Sequence, residues 1–520
     1  MRPMRLRSSL LVSSFSILGF VGCSSPTSDE ANLTPEIPDP VEIPSVESAP
    51  LTTERTIKPR HERVSPTRNP QVPELLNEML AEGMGEWDFA EGIPIHTWTL
   101  DDETPPAPGD NAKMLTRFVH LADTQLADDE SPARLANYDT PGLGGAFRPQ
   151  EGHECRILNA AVRTINAFNR ENPIDFVLLG GDNIDNGQSN ELDWFLSIMN
   201  GSPNVHCKSG DPLAPFPFPE DYPKHPFVAE GLEVPWRWVT GNHDILKQGT
   251  VRPRPGEAEG SEAIAGTRDW SLPGGPIVTG EVIPDPNRYI LTRGELHDRV
   301  ASVGDGHGIT DDVKAYGKTY YWFDVKDTPV RIVVMDTAAE TGGALGLIQQ
   351  SDIDDFLEPA LQQAKADGKW VILNSHHGSH SLSDGGSPGG IKQPDAVSLE
   401  DWYAFVGRHE NVIMHLAGHT HIHRVNKRAP DGGSPYWELE TSALADFPNQ
   451  LRVIEIWDQD NGYVMIRAIG LDYVDEGDPI AQDGRKRAIV DFTCGYEKDG
   501  GGDPTHRNVE LWIPKPGATD

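Results

Sequence analysis

Five times in this 520-residue chain a short apolar run ends in a cluster of polar side chains, and that recurrence constrains the fold more than any other feature. The clusters are Asp123-Thr124-Gln125, the stretch GGDNIDN from Gly180 to Asn186 with Asp182 at its centre, Gly241-Asn242-His243-Asp244, Ser375-His376-His377 and Gly418-His419-Thr420-His421. A short apolar run bounded by turn signals reads as a buried strand, and open α/β sheets present their ligands beyond the C-terminal tips of strands. One constellation can therefore gather all five. Between the first two clusters Ile157, Leu158, Ala161, Val162, Ile165 and Phe168 recur at helical spacing, so 153–170 is expected as an amphipathic helix. Strand, helix and strand in that order imply parallel pairing.

The remaining pattern extends this α/β reading. Strands are expected at 115–122, 176–179, 235–240, 319–325, 331–335, 370–374, 412–417, 436–440, 451–457 and 463–469. If the first stays extended past its end, Asp123 and Gln125 project to the same side. A helix is expected from Ser351 to near Gly368, kinked or delayed by Pro359. Ser398 and Asp401 resemble a capping box for a helix through Phe405. From Asp244 to Tyr316 the chain is Pro- and Gly-rich, and it is expected to lack regular elements. No internal repeat is evident. The 44 Lys and Arg against 80 Asp and Glu give a net charge of -36, which repels polyphosphate backbones and excludes a nucleic-acid groove.

The N-terminus carries Arg2, Arg5 and Arg7, an apolar stretch from Leu10 to Val21, and then Gly22-Cys23. This is a signal-peptide pattern, too short for a comfortable transmembrane helix. Phe20-Val21-Gly22-Cys23 resembles a bacterial lipoprotein processing site with Cys23 as the lipid-bearing residue. Phe20 departs from the usual small aliphatic residue, so plain secretion is the alternative. Either way the protein is expected to be exported, to the periplasm or outer membrane if lipidated. The expected division is a signal peptide over 1–23, a disordered tether over 24–73, a packing segment over 74–110, a catalytic domain over 111–475 with an insertion at 245–316 expected to cap the site, and a C-terminal extension over 476–520. Cys155, Cys207 and Cys494 permit one disulfide with a thiol over, and none sits in a C-x-x-C spacing.

In order and spacing the five clusters resemble the calcineurin-like metallophosphoesterase superfamily. The resemblance spans about residues 115–470. It implies a four-layer αββα sandwich of two mixed sheets and two divalent metal ions, manganese, iron or zinc. It also implies hydrolysis of a small phosphorylated substrate by a hydroxide held between the ions. Carried over by position, the first ion takes Asp123, Gln125, Asp182 and His421, and the second takes Asp182, Asn242, His376 and His419, with Asp182 bridging. His377 competes with His376. His243 stands over the scissile bond with Asp185 orienting its ring and Asp244 as the competing orienter. The departure is Gln125, where the superfamily usually has His; a carboxamide oxygen suits harder cations better than zinc-like ones. Arg288 and His307 are candidates to bind substrate from within the insertion. A phosphodiester is the preferred substrate class, with a phosphomonoesterase or nucleotidase-type activity, or a binding lipoprotein that keeps the fold without turnover, as alternatives.

Overall fold

Alternation along the buried strands divides the protein into layers. In Val330–Val334 every residue is buried, yet Ile332 and Val334 belong to the large core shared with the other sheet, while Val333 joins a second core beneath helices. A period of two puts successive side chains on opposite faces, so a strand apolar throughout must be covered on both. The structure is a computed structural model and describes residues 37–101, 103–131, 140–141, 147–210, 222–253, 266–269, 279–282, 284–497 and 500–517. Cys23 and the signal segment lie outside the described residues.

A seven-stranded sheet runs in the order His96–Thr99, Val509–Pro514, Tyr463–Asp472, Gln450–Asp458, Lys113–Leu121, Phe176–Leu179, Trp236–Arg237. Its last three strands are parallel, as the strand–helix–strand order requires. A six-stranded sheet runs Tyr321–Asp324, Val330–Val334, Trp370–Asn374, Val412–Ala417, Tyr436–Glu440, Arg424–Arg428, and its four middle strands are parallel. The sheets face each other. Phe176 meets Phe323 edge-on at 5.3 Å, and the indole of Trp437 donates to the Trp512 carbonyl at 3.1 Å. Helix Glu154–Glu171 buries Ile157, Leu158, Val162 and Ile165 in the larger core. On the other side, helices Glu358–Ala366 and Leu399–Gly407 set Leu361, Trp402 and Phe405 against Val333, Val371 and Leu373. The result is the mixed α/β fold with helices, two sheets and helices in layers. Cutting Leu361 to Ala would cost about 2–5 kcal/mol, the usual range for a buried Leu.

Several expectations are corrected. From residue 37 onward the tether is ordered: Arg55–Pro59 pairs antiparallel with Trp87–Glu91, and Val46, Thr52 and Ile57 are buried. Its poor apolar content is offset by distant polar partners, Thr52 Oγ1 donating to Asn508 at 2.8 Å and the Ile57 amide to Asp472 at 3.1 Å. The C-terminal segment is no appendage either. It supplies helix Pro479–Thr493 and the strand Val509–Pro514, which lies second in the seven-stranded sheet. Within the insertion, helices Arg293–Ala301 and Asp311–Tyr316 begin at Thr292 and Thr310, whose hydroxyls accept the Glu295 and Val313 amides. Leu296, Val300, Ile309 and Val313 bury themselves in the core. Residues 254–265 and 270–278 lie outside the described residues.

The strand expected over 235–240 shrinks to Trp236–Arg237. Beyond it the chain bonds to a loop, the Trp238 amide reaching the His307 carbonyl at 2.9 Å. In the helix over 350–366, a π-helical turn at Ile353–Leu357 precedes Pro359. A wider turn relieves the clash that the proline ring makes with the preceding turn. Ser398 caps the next helix as expected, its Oγ accepting the Asp401 amide at 3.1 Å. Cys155 and Cys207 form the one disulfide of the described residues, and Cys494 is a buried thiol.

Candidate metal centre

The five clusters meet where the two sheets adjoin. Ala122 bridges to Ala443 at this end, and Asn374 Nδ2 donates to the Leu179 carbonyl across the sheets at 3.2 Å. Each parallel strand stops and the chain turns sharply. Asp123, Gln125, Asp182, His419 and His421 all have positive φ, between 39° and 71°. The expectation that Asp123 and Gln125 continue an extended strand is therefore corrected: left-handed residues bend the chain so that its side chains face the centre. Such conformations cost on the order of 1–3 kcal/mol each and persist only where surrounding contacts over-determine them. The turn at Asp182 is held by the Asp244 carboxylate, which accepts the amides of Gly241 at 2.7 Å, Asp182 at 3.1 Å, Asn183 at 2.9 Å and Ile184 at 3.1 Å. Asp244 thus knits two loops and does not orient His243. Gly241 is needed because a Cβ there would lie 2.1 Å from Asp182 Oδ1.

One half of the centre presents open donors. His376 is buried, its Nδ1 donates to the Gly180 carbonyl at 2.7 Å, and its Nε2 has no hydrogen-bond partner but lies 3.0 Å from Asp182 Oδ2. Asn242 repeats the pattern: Nδ2 donates to the Gly249 carbonyl at 2.9 Å, leaving a buried Oδ1 without a partner. A backbone carbonyl on one polar atom fixes the tautomer or amide orientation and aims the other atom inward. Asp123, Asp182 and His376 offer ligand atoms within 4.8 Å of one another, and so do His376, His377 and His419. Both nitrogens of His377 are engaged, Nδ1 with Thr337 at 2.9 Å and Nε2 with the Ala344 carbonyl at 3.1 Å. Burial works against charge on His376, but Asp182 and Asp123 outweigh it and raise its pKa to about 9, so a proton and a cation compete for one lone pair. These donors fit a divalent cation.

The other half is already satisfied. The Gln125 carboxamide oxygen accepts a hydrogen bond from Arg148, and its Nε2 donates to Asp182 Oδ2 at 3.2 Å. Arg148 is buried and pairs through Nε with Asp446 Oδ1 at 2.5 Å. Asp446 also pairs with Nδ1 of His421, whose Nε2 lies 3.4 Å from Asp123 Oδ1. As arranged, Gln125 points a donor rather than an acceptor at Asp182, so the first donor set does not fit an ion.

His243 stands beside Asp182, its amide donating to Asp182 Oδ1 at 2.8 Å. Its Nδ1 lies 3.0 Å from the Asp185 carboxylate and 2.9 Å from the Asp185 carbonyl. Burial opposes the imidazolium, but Asp182 and Asp185 outweigh it and raise the pKa above the ordinary value. His243, His419 and His421 are part-exposed while Asp123, Asp182, Asn242 and His376 are buried, so the histidines rim the opening. Arg288 and His307 are not presented to a substrate, a correction to their expected role. Arg288 is fully buried with Nε on Asp128 at 2.8 Å and an Nη on Ser209 at 2.7 Å. His307 stacks on Trp236 at 3.3 Å. Arg148 and Asp446 escaped the sequence reading because neither belongs to a motif. The glutamine at 125 was the one signal that a charged neighbour had to be sought.

Residues 116–423 match the family model described as calcineurin-like phosphoesterase. A dimetal phosphatase from Danio rerio is similar in structure at a TM-score of 0.39 and 13% identity, over 70% of this chain and 100% of that one. A purple acid phosphatase from yellow lupin (Lupinus luteus) seeds gives 0.30 and 14%, over 70% of this chain and 52% of that one. A search of curated proteins finds no match. Members of the matched family generally use two divalent metals.

Proposed function

The chain belongs to the calcineurin-like phosphoesterase family, and from that premise we propose that it is an exported, metal-dependent hydrolase that prefers phosphodiesters. The observation that carries the reading is a pair of buried ligand atoms beside Asp182: Asn242 Oδ1, which has no hydrogen-bond partner, and His376 Nε2, which faces only the Asp182 carboxylate at 3.0 Å. With Asp182 and His419 they make a mixed nitrogen and oxygen set suited to manganese, iron or zinc. These residues would hold a divalent ion, which when bound would acidify water and take up phosphoryl charge. His243, held by Asp185 at Nδ1, sets Nε2 3.9 Å from Asp182 and donates a proton to the leaving oxygen. Asp123 fixes the His419 loop by accepting the His419 amide at 3.0 and 3.1 Å.

The diester preference rests on charge. Asp123, Asp182, Asp185 and Asp446 crowd the centre of a chain of net charge -36, and a monoanion meets less repulsion there than a dianionic monoester. Export is supported by the arginines and apolar stretch before Cys23, and by the Cys155–Cys207 bridge, since disulfides persist in oxidising compartments. Lipidation of Cys23 would tether the body to a membrane. The test is turnover of paired chromogenic mono- and diesters by purified protein whose metal content is measured in the same sample. Diesters should be cleaved faster. A metal-loaded protein that cleaves no ester in the panel would overturn the enzyme reading in favour of a binding protein.

A further inference from the structure

We propose that the Arg148 guanidinium takes the place of the first ion, so that the centre pairs one divalent cation with one fixed organic cation. This deepens the hydrolase reading and rests on it. An ion on the first donor set needs the Gln125 oxygen, and that atom already accepts from Arg148. Turning the carboxamide so that its oxygen faces Asp182 would leave the nitrogen facing the guanidinium, donor against donor. Arg148 is itself held: Nε on Asp446 Oδ1 at 2.5 Å, and Nη1 3.9 Å from Asp185 Oδ1. Asp446 in turn pairs with Nδ1 of His421, whose Nε2 faces Asp123 at 3.4 Å.

Charge leads to the same conclusion. A guanidinium is always protonated, and it is 1% exposed here, so solvent screens it little. A divalent ion sharing the Gln125 oxygen would face that fixed positive charge at contact distance. The glutamine and the arginine therefore explain each other. An imidazole at 125 would offer a ligand nitrogen but no oxygen for Arg148 to bond, and a carboxamide does the reverse. In the other half no Arg or Lys holds the ligand atoms: Oδ1 of Asn242 has no hydrogen-bond partner among the described residues, and Nε2 of His376 faces the Asp182 carboxylate at 3.0 Å.

The test uses the full chain loaded with manganese and dialysed, with bound metal counted by mass spectrometry and the spin state read by electron paramagnetic resonance. One ion per chain with an uncoupled spectrum is expected, lost in Asn242→Ala and kept in His421→Ala. The double substitution Gln125→His with Arg148→Met should raise the count from one to two and give a coupled spectrum. Two coupled ions in the unaltered protein would overturn the inference while leaving the hydrolase reading intact, and so would one ion that His421→Ala removes and Asn242→Ala spares. No bound ion would overturn both. The spectrum of the unaltered protein decides the matter even if the double variant fails to fold.

Discussion

The two halves of the centre are both built at strand ends but hold opposite resources. Around His376 and Asn242, each side chain bonds a backbone carbonyl with one polar atom; Asn242 leaves the other unbonded, and His376 sets the other against Asp182 at 3.0 Å. Around Gln125, the carboxamide oxygen closes on Arg148, and Asp446 ties that guanidinium to Nδ1 of His421. The first arrangement stores affinity for a cation, because unpartnered buried acceptors are costly until something binds them. The second stores stability, because its charges are paired inside the protein. The difference teaches that a ligand motif in sequence becomes a metal site only if nearby cations leave the motif alone.

Asp182 belongs to both halves, so changing it should have the largest effect. Asp182→Asn is expected to strip bound metal and to lower turnover beyond the roughly 10²- to 10³-fold typical of losing one electrostatic contact. Metal content and rate measured on the same preparation check it, and normal values for both would break the picture. Next comes His243→Ala, with a loss of about 10²- to 10⁴-fold at unchanged metal content. Esters with poor leaving groups should suffer more than nitrophenyl esters if His243 supplies the proton. Equal losses would leave it only a charge-stabilising role.

Two smaller effects set the halves directly against each other. Asp446→Asn leaves the buried Arg148 without its carboxylate and should cost about 3–5 kcal/mol, the range for breaking a buried pair. Asn242→Ala, whose oxygen bonds nothing in the protein, should cost clearly less in the metal-free state, and comparing the two by chemical denaturation sharpens the contrast. Chelation should then separate them again. Removing an ion present at 100 times its dissociation constant withdraws about 2.7 kcal/mol from the native state. That loss should appear in the Asp446→Asn protein and vanish in Asn242→Ala. A chelator effect of equal size in both would mean that the ion is held elsewhere.

The buried strands were legible because a short apolar run between turn signals has few other ways to satisfy its backbone. Phe176–Leu179, Trp370–Asn374, Val412–Ala417 and Tyr436–Glu440 have the bounds that the sequence suggested. The helix Glu154–Glu171 was equally plain from its apolar period. Illegible were the segments whose order depends on remote partners. Residues 37–73 look disordered by composition, and they are ordered by contacts to residues hundreds of positions away, such as Asn508 and Asp472. Val509–Pro514 falls in the expected C-terminal extension, and it joins the sheet by pairing with Tyr463–Asp472.

The centre divides along the same line. Sequence alone determined which donors stand at the strand tips, since the motif residues sit where each apolar run ends. Only the tertiary structure decided what those donors touch. Arg148 precedes the helix Glu154–Glu171 and Asp446 lies beyond the strand Tyr436–Glu440, yet they meet at Gln125 and His421. Local pattern fixes where a side chain emerges because backbone geometry repeats over a few residues. Electrostatic partners are chosen by proximity in space, which no short-range pattern encodes.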